Sequence, residues 1–488
     1  MAVTALDLFH FDNSFVRELP GLYQWWQADS VADPSAVIIN TDLAAELGLD
    51  AELLASPDGI RALLADPPPA GAEPVALAYA GHQFGSYSPR LGDGRALLLG
   101  EMIAADGRRL DVHLKGSGRT PFARGGDGRA VLGPMLREYL MGEAMHALGV
   151  PTTRALAVIA TGEQVRRETM LPGAVLVRVA SSHIRVGTFQ YAAATGDADL
   201  LRTLADYTIH RHYRDAASTA EPTLTLFRRV VDAQADLVAQ WMTWGFIHGV
   251  LNTDNVTVSG ETIDYGPCAF MDHYDPSTVF SSIDHGGRYA FGHQPGITQW
   301  NLARFAETLL PLMAADAGVE ADAMVGPATE VLSTFGDVFS ERWHTHMLHR
   351  VGVDDSAEAR AFVAVVVAMA HAGRCDLTQV VRALVAAADG DDAPWMSATA
   401  GADAAPELVT RWRGLSPVDA VTLAGRTPVS IPRNHEVERV LAAATEGDLG
   451  PFHAVLAALQ SPFAAMPGGE GLAAPGPDMP EYRTFCGT

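Results

Sequence analysis

Lysine is nearly missing from this chain: of its 34 basic residues one, Lys115, is lysine and the rest are arginine. Basic charge as a whole is scarce too, since 58 acidic residues leave a formal net charge of −24 over 488 residues. A nucleic-acid backbone or an anionic membrane calls for a basic face, so neither is expected as a partner. The acidity reads as a well-solvated surface. Cysteine is rare, with Cys268, Cys375 and Cys486 the only ones; that is no disulfide framework and fits a reducing compartment. Long apolar runs are absent as well. The richest stretch, Ala361 to Ala370, is too short to span a bilayer. Met1 to Phe15 has neither the basic start nor the apolar core of a signal peptide. A cytoplasmic protein is expected, with its oligomeric state left open.

What is present is a 48% hydrophobic composition, ample for a large core in about two to four domains or lobes. Residues 1–75 read as an N-terminal extension with short helices; Ala44 to Leu64 has helical spacing broken near Pro57, and Asp66-Pro67-Pro68-Pro69 closes it. Residues 76–182 read as a small β-rich lobe. Arg95 to Met102 is a strand, Asp106-Gly107 a hairpin turn, and Leu110, Val112 and Leu114 alternate along a second strand. The glycine-rich loop Gly116 to Gly128 follows, then a helix over Val131 to Leu148, ended by Gly149 and Pro151. Arg154 to Ala160 and Ala174 to Ala180 are strand-like. Residues 183–460 read as a helical lobe, with helices at Leu224 to Phe246, Asn301 to Ala315, Ala357 to Ala372, Val437 to Ala444 and Phe452 to Leu459. A tight hairpin is expected over Val256 to Asp264. The Gly- and Pro-rich end, residues 461–488, reads as a tail without regular structure. The fold class is α+β and bilobal, a small β-rich lobe followed by a larger helical one.

Four groups carry chemistry. Arg90-Leu91-Gly92-Asp93-Gly94-Arg95 places a Gly-x-Gly before a strand, where glycines let backbone approach phosphates; alone it is a common turn. Lys115 ends a strand and precedes a helix carrying Glu138 and Glu143. Phosphate-transferring enzymes pair such a lysine with a helical carboxylate, and a compact ammonium is not interchangeable with an arginine fork. A helical glutamate by itself reads as a solvated face, and compositional bias can leave one lysine anywhere, so the two count only together. The third group is the most specific. His248-Gly249-Val250-Leu251-Asn252-Thr253-Asp254-Asn255, then Thr262-Ile263-Asp264-Tyr265-Gly266, has the spacing of a kinase catalytic loop and metal-binding Asp-Phe-Gly. Asn255 and Asp264 can then face one Mg²⁺ through hard oxygen ligands. The fourth group, Arg178 and Arg185, offers guanidinium forks for phosphate oxygens; surface ion pairs account for them equally well.

One position departs from a kinase. The place of the catalytic-loop aspartate is Val250, which cannot accept a proton. Asp254, next to Asn255, can supply a carboxylate from a shifted position. The residues by themselves thus read as a kinase-like nucleotide site not set up for ordinary γ-phosphoryl transfer, which leaves a γ-phosphoryl kinase acting by an atypical route and an inactive nucleotide-binding pseudokinase scaffold.

The sequence resembles the selenoprotein O family of kinase-fold protein adenylyltransferases. The resemblance lies in Tyr79-Ala80-Gly81-His82-Gln83-Phe84-Gly85, Leu91 to Arg95, Leu114 to Gly118, Gly126-Asp127-Gly128-Arg129-Ala130-Val131, His248 to Asn255, Ile263 to Pro267, and Asp284-His285-Gly286-Gly287-Arg288-Tyr289. It implies ATP held in a flipped orientation, with its γ-phosphate buried and its α-phosphate presented. AMP then passes to Ser, Thr or Tyr hydroxyls of proteins, with UMP transfer from UTP a further activity of some members. By the same resemblance Gly92, Gly94, Arg95, Lys115, Asp127, Gly128, Arg178, Arg185 and Asp264 bind the nucleotide. Asp254 is the base, Asn255 and Asp264 hold Mg²⁺ or Mn²⁺, and Glu138 partners Lys115. The family name refers to a C-terminal selenocysteine, where this chain has Cys486; a regulatory Cys268–Cys486 disulfide is implied.

Overall fold

The computed structural model describes residues 8–477, 479 and 481–485. Nine strands occupy its first part: β1 (Tyr23–Trp25), β2 (Ser35–Ile39), β3 (Val75–Leu77), β4 (Gly81–Gln83), β5 (Ser86–Ser88), β6 (Ala96–Ile103), β7 (Arg109–Lys115), β8 (Arg154–Arg166) and β9 (Met170–Ala180). Seven of them form one sheet in the order β1-β3-β6-β7-β9-β8-β2. Its pairings are antiparallel. The N-terminal segment therefore does more than supply helices: β1 and β2 are the two edges of the sheet. β4 and β5 make a separate hairpin.

Strand alternation decides what each face of the sheet does. Val112 and Leu114 of β7, with Val175, Val177 and Val179 of β9, pack against the helices Thr41–Leu47 and Pro57–Leu63. The intervening residues face the other way. Ala174 and Leu176 pack with Leu136, Leu140 and Tyr139 of the helix Leu132–Ala147. This helix is buried on nearly all sides, as its lack of a polar face requires. Each fully buried leucine on it contributes about 2 kcal/mol of burial free energy. On the same face stand Asp111, His113 and Lys115 of β7 and Arg178 of β9, with His113 directly opposite Arg178 in the register. The polar face of the sheet's centre is the wall of the site.

From Val186 onward the chain is mainly helical. The expected helices are found at Pro222–Trp244, Gln294–Ala317, Ala357–Ala372, Asn434–Thr445 and Gly450–Gln460. Gly450 and Pro451, expected to separate the last two helices, form the first turn of the second, where proline needs no amide partner. No helix of the described residues is long and apolar enough to cross a membrane. Two local expectations differ. Over 256–264 there is a turn, not a two-stranded hairpin: Thr257 and Thr262 bridge to Arg185 and Thr152, and the turn closes on the Thr257 hydroxyl and Glu261. The C-terminal tail is also more ordered than its composition suggests. Leu472 is fully buried, and Thr484 forms a parallel bridge with Ser281 and donates its hydroxyl to the Pro267 carbonyl at 2.6 Å. Cys268 beside it is a buried free thiol, pushed up to about 12 by burial; Cys486, its expected partner, lies outside the described residues.

Candidate active site

One cavity of about 430 Å³ between the sheet and the helical part is lined by every nucleotide, base and metal residue that the sequence singles out: Gly92, Gly94, Arg95, Lys115, Asp127, Gly128, Arg178, Arg185, Asp254, Asn255 and Asp264. Its centre is a knot of opposite charges. The Lys115 ammonium lies 2.6 Å from Glu138 Oε2 and 2.6 Å from Asp264 Oδ1. Arg178 donates to Glu138 Oε1 at 3.2 Å and to Asp264 Oδ1 at 2.8 Å. Arg185 donates to Asp264 Oδ2 at 3.0 Å and to the Asp254 carbonyl at 2.7 Å, with its guanidinium over the Tyr79 ring. The choice between the two helical glutamates is settled by a third residue: Arg154 takes Glu143 in a bidentate pair, Nε–Oε1 2.8 Å and Nη2–Oε2 2.9 Å.

Three cations thus meet two carboxylates, leaving the knot one positive charge in excess. Burial alone would raise the Asp264 carboxyl, but Lys115, Arg178 and Arg185 outweigh it and hold the group well below the usual carboxylate range. Asp264 also has a left-handed backbone, φ 64°, which aspartate tolerates better than most residues. Its approach to the loop is fixed by His248. Burial keeps that imidazole neutral; its Nε2 donates to the Ile263 carbonyl at 2.8 Å, and its Nδ1 accepts from the Val250 amide.

Behind the knot lie two buried groups that sequence reasoning missed. His113 bridges Asp93 (Nε2 to Oδ2, 3.0 Å) and Arg178 (Nδ1 to Nη2, 3.3 Å), and His183 stacks on it at 4.1 Å. The signal was available: His113 is two residues before Lys115 on the same face of β7.

Asp254 is in the opposite condition. Thr253–Asn255 form a 3-10 turn. One carboxylate oxygen of Asp254 accepts a long bond from Gln83 (3.4 Å), while Oδ1 is buried without any partner. Burial raises its pKa to about 6, against the attraction of Arg185. A base with an open lone pair near neutral pH is what deprotonation of an incoming hydroxyl requires. Gly81 makes the space: a Cβ there would stand 2.5 Å from Asp254 Oδ1. Gly81→Ala is expected to lower the rate at saturating substrate at least tenfold with little loss of nucleotide binding, readable as a kcat effect without a matching KM effect.

Asn255 gives its amide hydrogen to the Val250 carbonyl at 2.9 Å, which leaves its oxygen as an acceptor in the cavity. The glycine loop closes on itself through Gly118 N to Gly128 O, and Gly128 has φ 74°, where a side chain would collide with the Gly118–Arg119 backbone. Asp127 at its end is held by Arg167 at 2.7 Å.

A cation-rich cavity with a glycine loop, a carboxylate ringed by three positive groups and a separate raised-pKa carboxylate defines an enzyme that binds a polyphosphate and transfers part of it. The comparisons with known proteins carry this to a particular family. Residues 6–413 match the family model described as protein adenylyltransferase SelO. The chain is 55% identical over the full length of both proteins to the protein nucleotidyltransferase YdiU of Mycolicibacterium smegmatis. It is 54% identical to that of Pseudarthrobacter chlorophenolicus over 97% of each chain. With the one from Cereibacter sphaeroides it shares 53% identity over 98% of this chain and all of the relative. The chain belongs to the SelO family of protein adenylyltransferases, and it is a nucleotidyltransferase.

Proposed function

We propose that the protein transfers AMP from ATP, bound in flipped orientation, to Ser, Thr or Tyr hydroxyls of other proteins, with UTP as a second nucleotide donor. The observation that carries this reading is the division of the cavity. Lys115, Arg178 and Arg185 crowd onto Asp264 and Glu138, while the Asp254 carboxylate, with its Oδ1 lacking a partner, is ion-paired to none of the three. In this reading Lys115, Arg178 and Arg185 neutralise the β- and γ-phosphates as the leaving pyrophosphate. The glycines Gly92, Gly94 and Gly128, with Arg95 and Asp127, cradle the rest of the nucleotide. Asp254 takes the proton of the acceptor hydroxyl as its oxygen attacks the α-phosphorus. Val250, which lines the same cavity, has no proton-accepting atom, so the base work falls to Asp254.

Asn255 and Asp264 suit a Mg²⁺ or Mn²⁺ ion. The donor set is hard oxygen, and no cluster of three or more His, Cys, Asp or Glu suited to a metal exists among the described residues. Two protein ligands completed by substrate phosphates are the usual way such an ion is held. When bound, the ion neutralises charge developing on the phosphate oxygens. With an ion held there, Asp264 would share its oxygens between the ion and Lys115, Arg178 and Arg185, leaving those cations more available to phosphate oxygens. The sheet with its packed helix serves as a kinase-like N-lobe, formed by about residues 76–182 together with the edge strands β1 and β2 of the N-terminal segment, and 183–460 as the helical C-lobe, with the nucleotide between them. The site of action is the cytoplasm, in keeping with the low cysteine content.

ATP labelled separately at the α- and γ-phosphates tests the reaction. Label from α-ATP alone is expected on acceptor protein in the presence of Mg²⁺ or Mn²⁺. Label from γ-ATP alone identifies a kinase instead, and bound nucleotide with no transfer of either identifies an inactive scaffold.

A further inference from the structure

The motif Asp284 to Tyr289 is not used by the cavity chemistry, yet it sits beside the base. The hairpin β4–β5 joins the two. His82 donates its backbone amide to Thr253 Oγ1 at 2.7 Å, and Gln83 reaches Asp254. The amide of Phe84, at the hairpin turn, lies 3.1 Å from both Asn252 Oδ1 and the Tyr289 hydroxyl, which itself donates to Asn252 at 2.6 Å. The turn is thereby pinned between the segment leading to Asp254 and the Arg288-Tyr289 pair. Phe84 and Tyr87 are exposed on it, and exposed Ile283 lines the cavity.

Arg288 is the charge in this patch that no carboxylate answers. Its guanidinium carbon stands 4.8 Å from the Trp300 ring centroid and 5.8 Å from that of Tyr289. It also lies against the turn, 3.7 Å from where a Cβ at Gly85 would be. Its side chain makes no ion pair among the described residues. Arg304, on the same Trp300 ring at 5.2 Å, is answered by Glu307 at 2.6 Å. The Asp284 carboxylate is occupied by the backbone amides of Arg288 and Tyr289, at 2.9 and 2.8 Å. A protein with a net charge of −24 has carboxylates to spare, yet it holds this guanidinium on an aromatic shelf against the β4–β5 turn, which Asn252 and Gln83 tie to the Asp254 segment, without giving it one. A planar fork so fixed is suited to grip a carboxylate, and exposed aromatic side chains around it are what an interface core uses.

We infer that Arg288 receives an acidic side chain of the acceptor protein, so that the enzyme selects hydroxyl residues with Asp or Glu close by in the chain. This deepens the proposed adenylyl transfer and rests on it. The test uses the full-length protein, α-labelled ATP with Mg²⁺, and three heptapeptides in which a single serine is flanked on both sides by Asp, by Asn or by Lys. The Asp peptide is expected to exceed the Asn peptide about tenfold in kcat/KM, mainly through KM, with the difference shrinking at high salt. Arg288→Gln should bring that ratio close to one, and Arg288→Glu should make the Lys peptide the preferred acceptor. Equal use of the Asp and Asn peptides by the unmodified enzyme, or a preference that survives Arg288→Gln, overturns the inference and leaves adenylyl transfer standing. Absence of α-label from every peptide and from added protein acceptors removes the transfer reading and this inference together.

Discussion

Asp254→Asn is expected to abolish nucleotidyl transfer and, at pH 8, to make the protein more stable. The loss follows from the proposed base role: an amide cannot take the acceptor's proton, and losing a positioned base costs about 10²- to 10⁴-fold. The gain follows from burial. Asp254 is 8% exposed, has one oxygen without a partner, and its pKa stands at about 6 against the ordinary 3.8. The folded protein therefore holds the proton more tightly than the unfolded chain. That preference favours folding below about pH 4, and the advantage disappears as pH rises through 6. At pH 8 the buried negative charge costs about 2–3 kcal/mol. An isosteric amide removes that cost, raising Tm by roughly 2 °C in a chain of this size. At about pH 3 and below the two proteins should unfold at nearly the same temperature, because Asp254 is then mostly neutral in both states. The same pKa gives the unmodified enzyme an acid limb: kcat/KM should fall about tenfold per pH unit below 6. Thermal unfolding at pH 8 and pH 3, alongside α-label transfer, checks both halves. A variant that is less stable at pH 8, or that still transfers, removes Asp254 from this role.

Asp264→Asn should also abolish transfer but shift stability the other way. Here the carboxylate answers three cations at 2.6, 2.8 and 3.0 Å. Its pKa is depressed, so its stabilisation is present above the unfolded value of 3.8 and is lost as pH falls through the lower folded value. An amide leaves Lys115 and Arg178 with Glu138 alone, and Arg185 without a carboxylate. Breaking a buried pair costs about 3–5 kcal/mol, and the 22% exposure of the Asp264 side chain to the cavity brings this toward about 2–3 kcal/mol. A fall in Tm of roughly 2–3 °C at pH 8 is expected. Added ATP with Mg²⁺ should raise the Tm of the unmodified protein and much less that of this variant, since the proposed metal ligand is gone. The two aspartates, ten residues apart, are thus separable by sign: one destabilises the free enzyme and the other holds it together. Equal Tm shifts for both would show that the charge knot is not what distinguishes them.

Much of the site is legible in the sequence. The alternation of Leu110, Val112 and Leu114 puts Lys115 on the polar face of its strand, and the same rule applied to Val175, Val177 and Val179 puts Arg178 on the matching face of its own. The spacing from His248 to Asn255 and on to Asp264 reads as a loop and a ligand. The left-handed turn at Asp264 and the bridges that replace a hairpin over 256–264 are not legible there, because they depend on Arg185 and Thr152 rather than on neighbours in the chain.

The sequence by itself determined the inventory: one ammonium among arginines, a glycine loop, a valine where a kinase keeps its base, and two aspartates near an asparagine. These are local properties of composition, period and spacing, and local backbone preferences are enough to express them. Only the tertiary structure decided the pairings. It gave Glu143 to Arg154 and so left Glu138 to Lys115, brought Arg178 and Arg185 onto one carboxylate, and set Asp254 in the gap left by Gly81. Each of those outcomes joins residues far apart in sequence. What selects among them is which charges are buried together and which polar atoms find a partner, and that is settled only once the sheet, its packed helix and the catalytic loop share one interior.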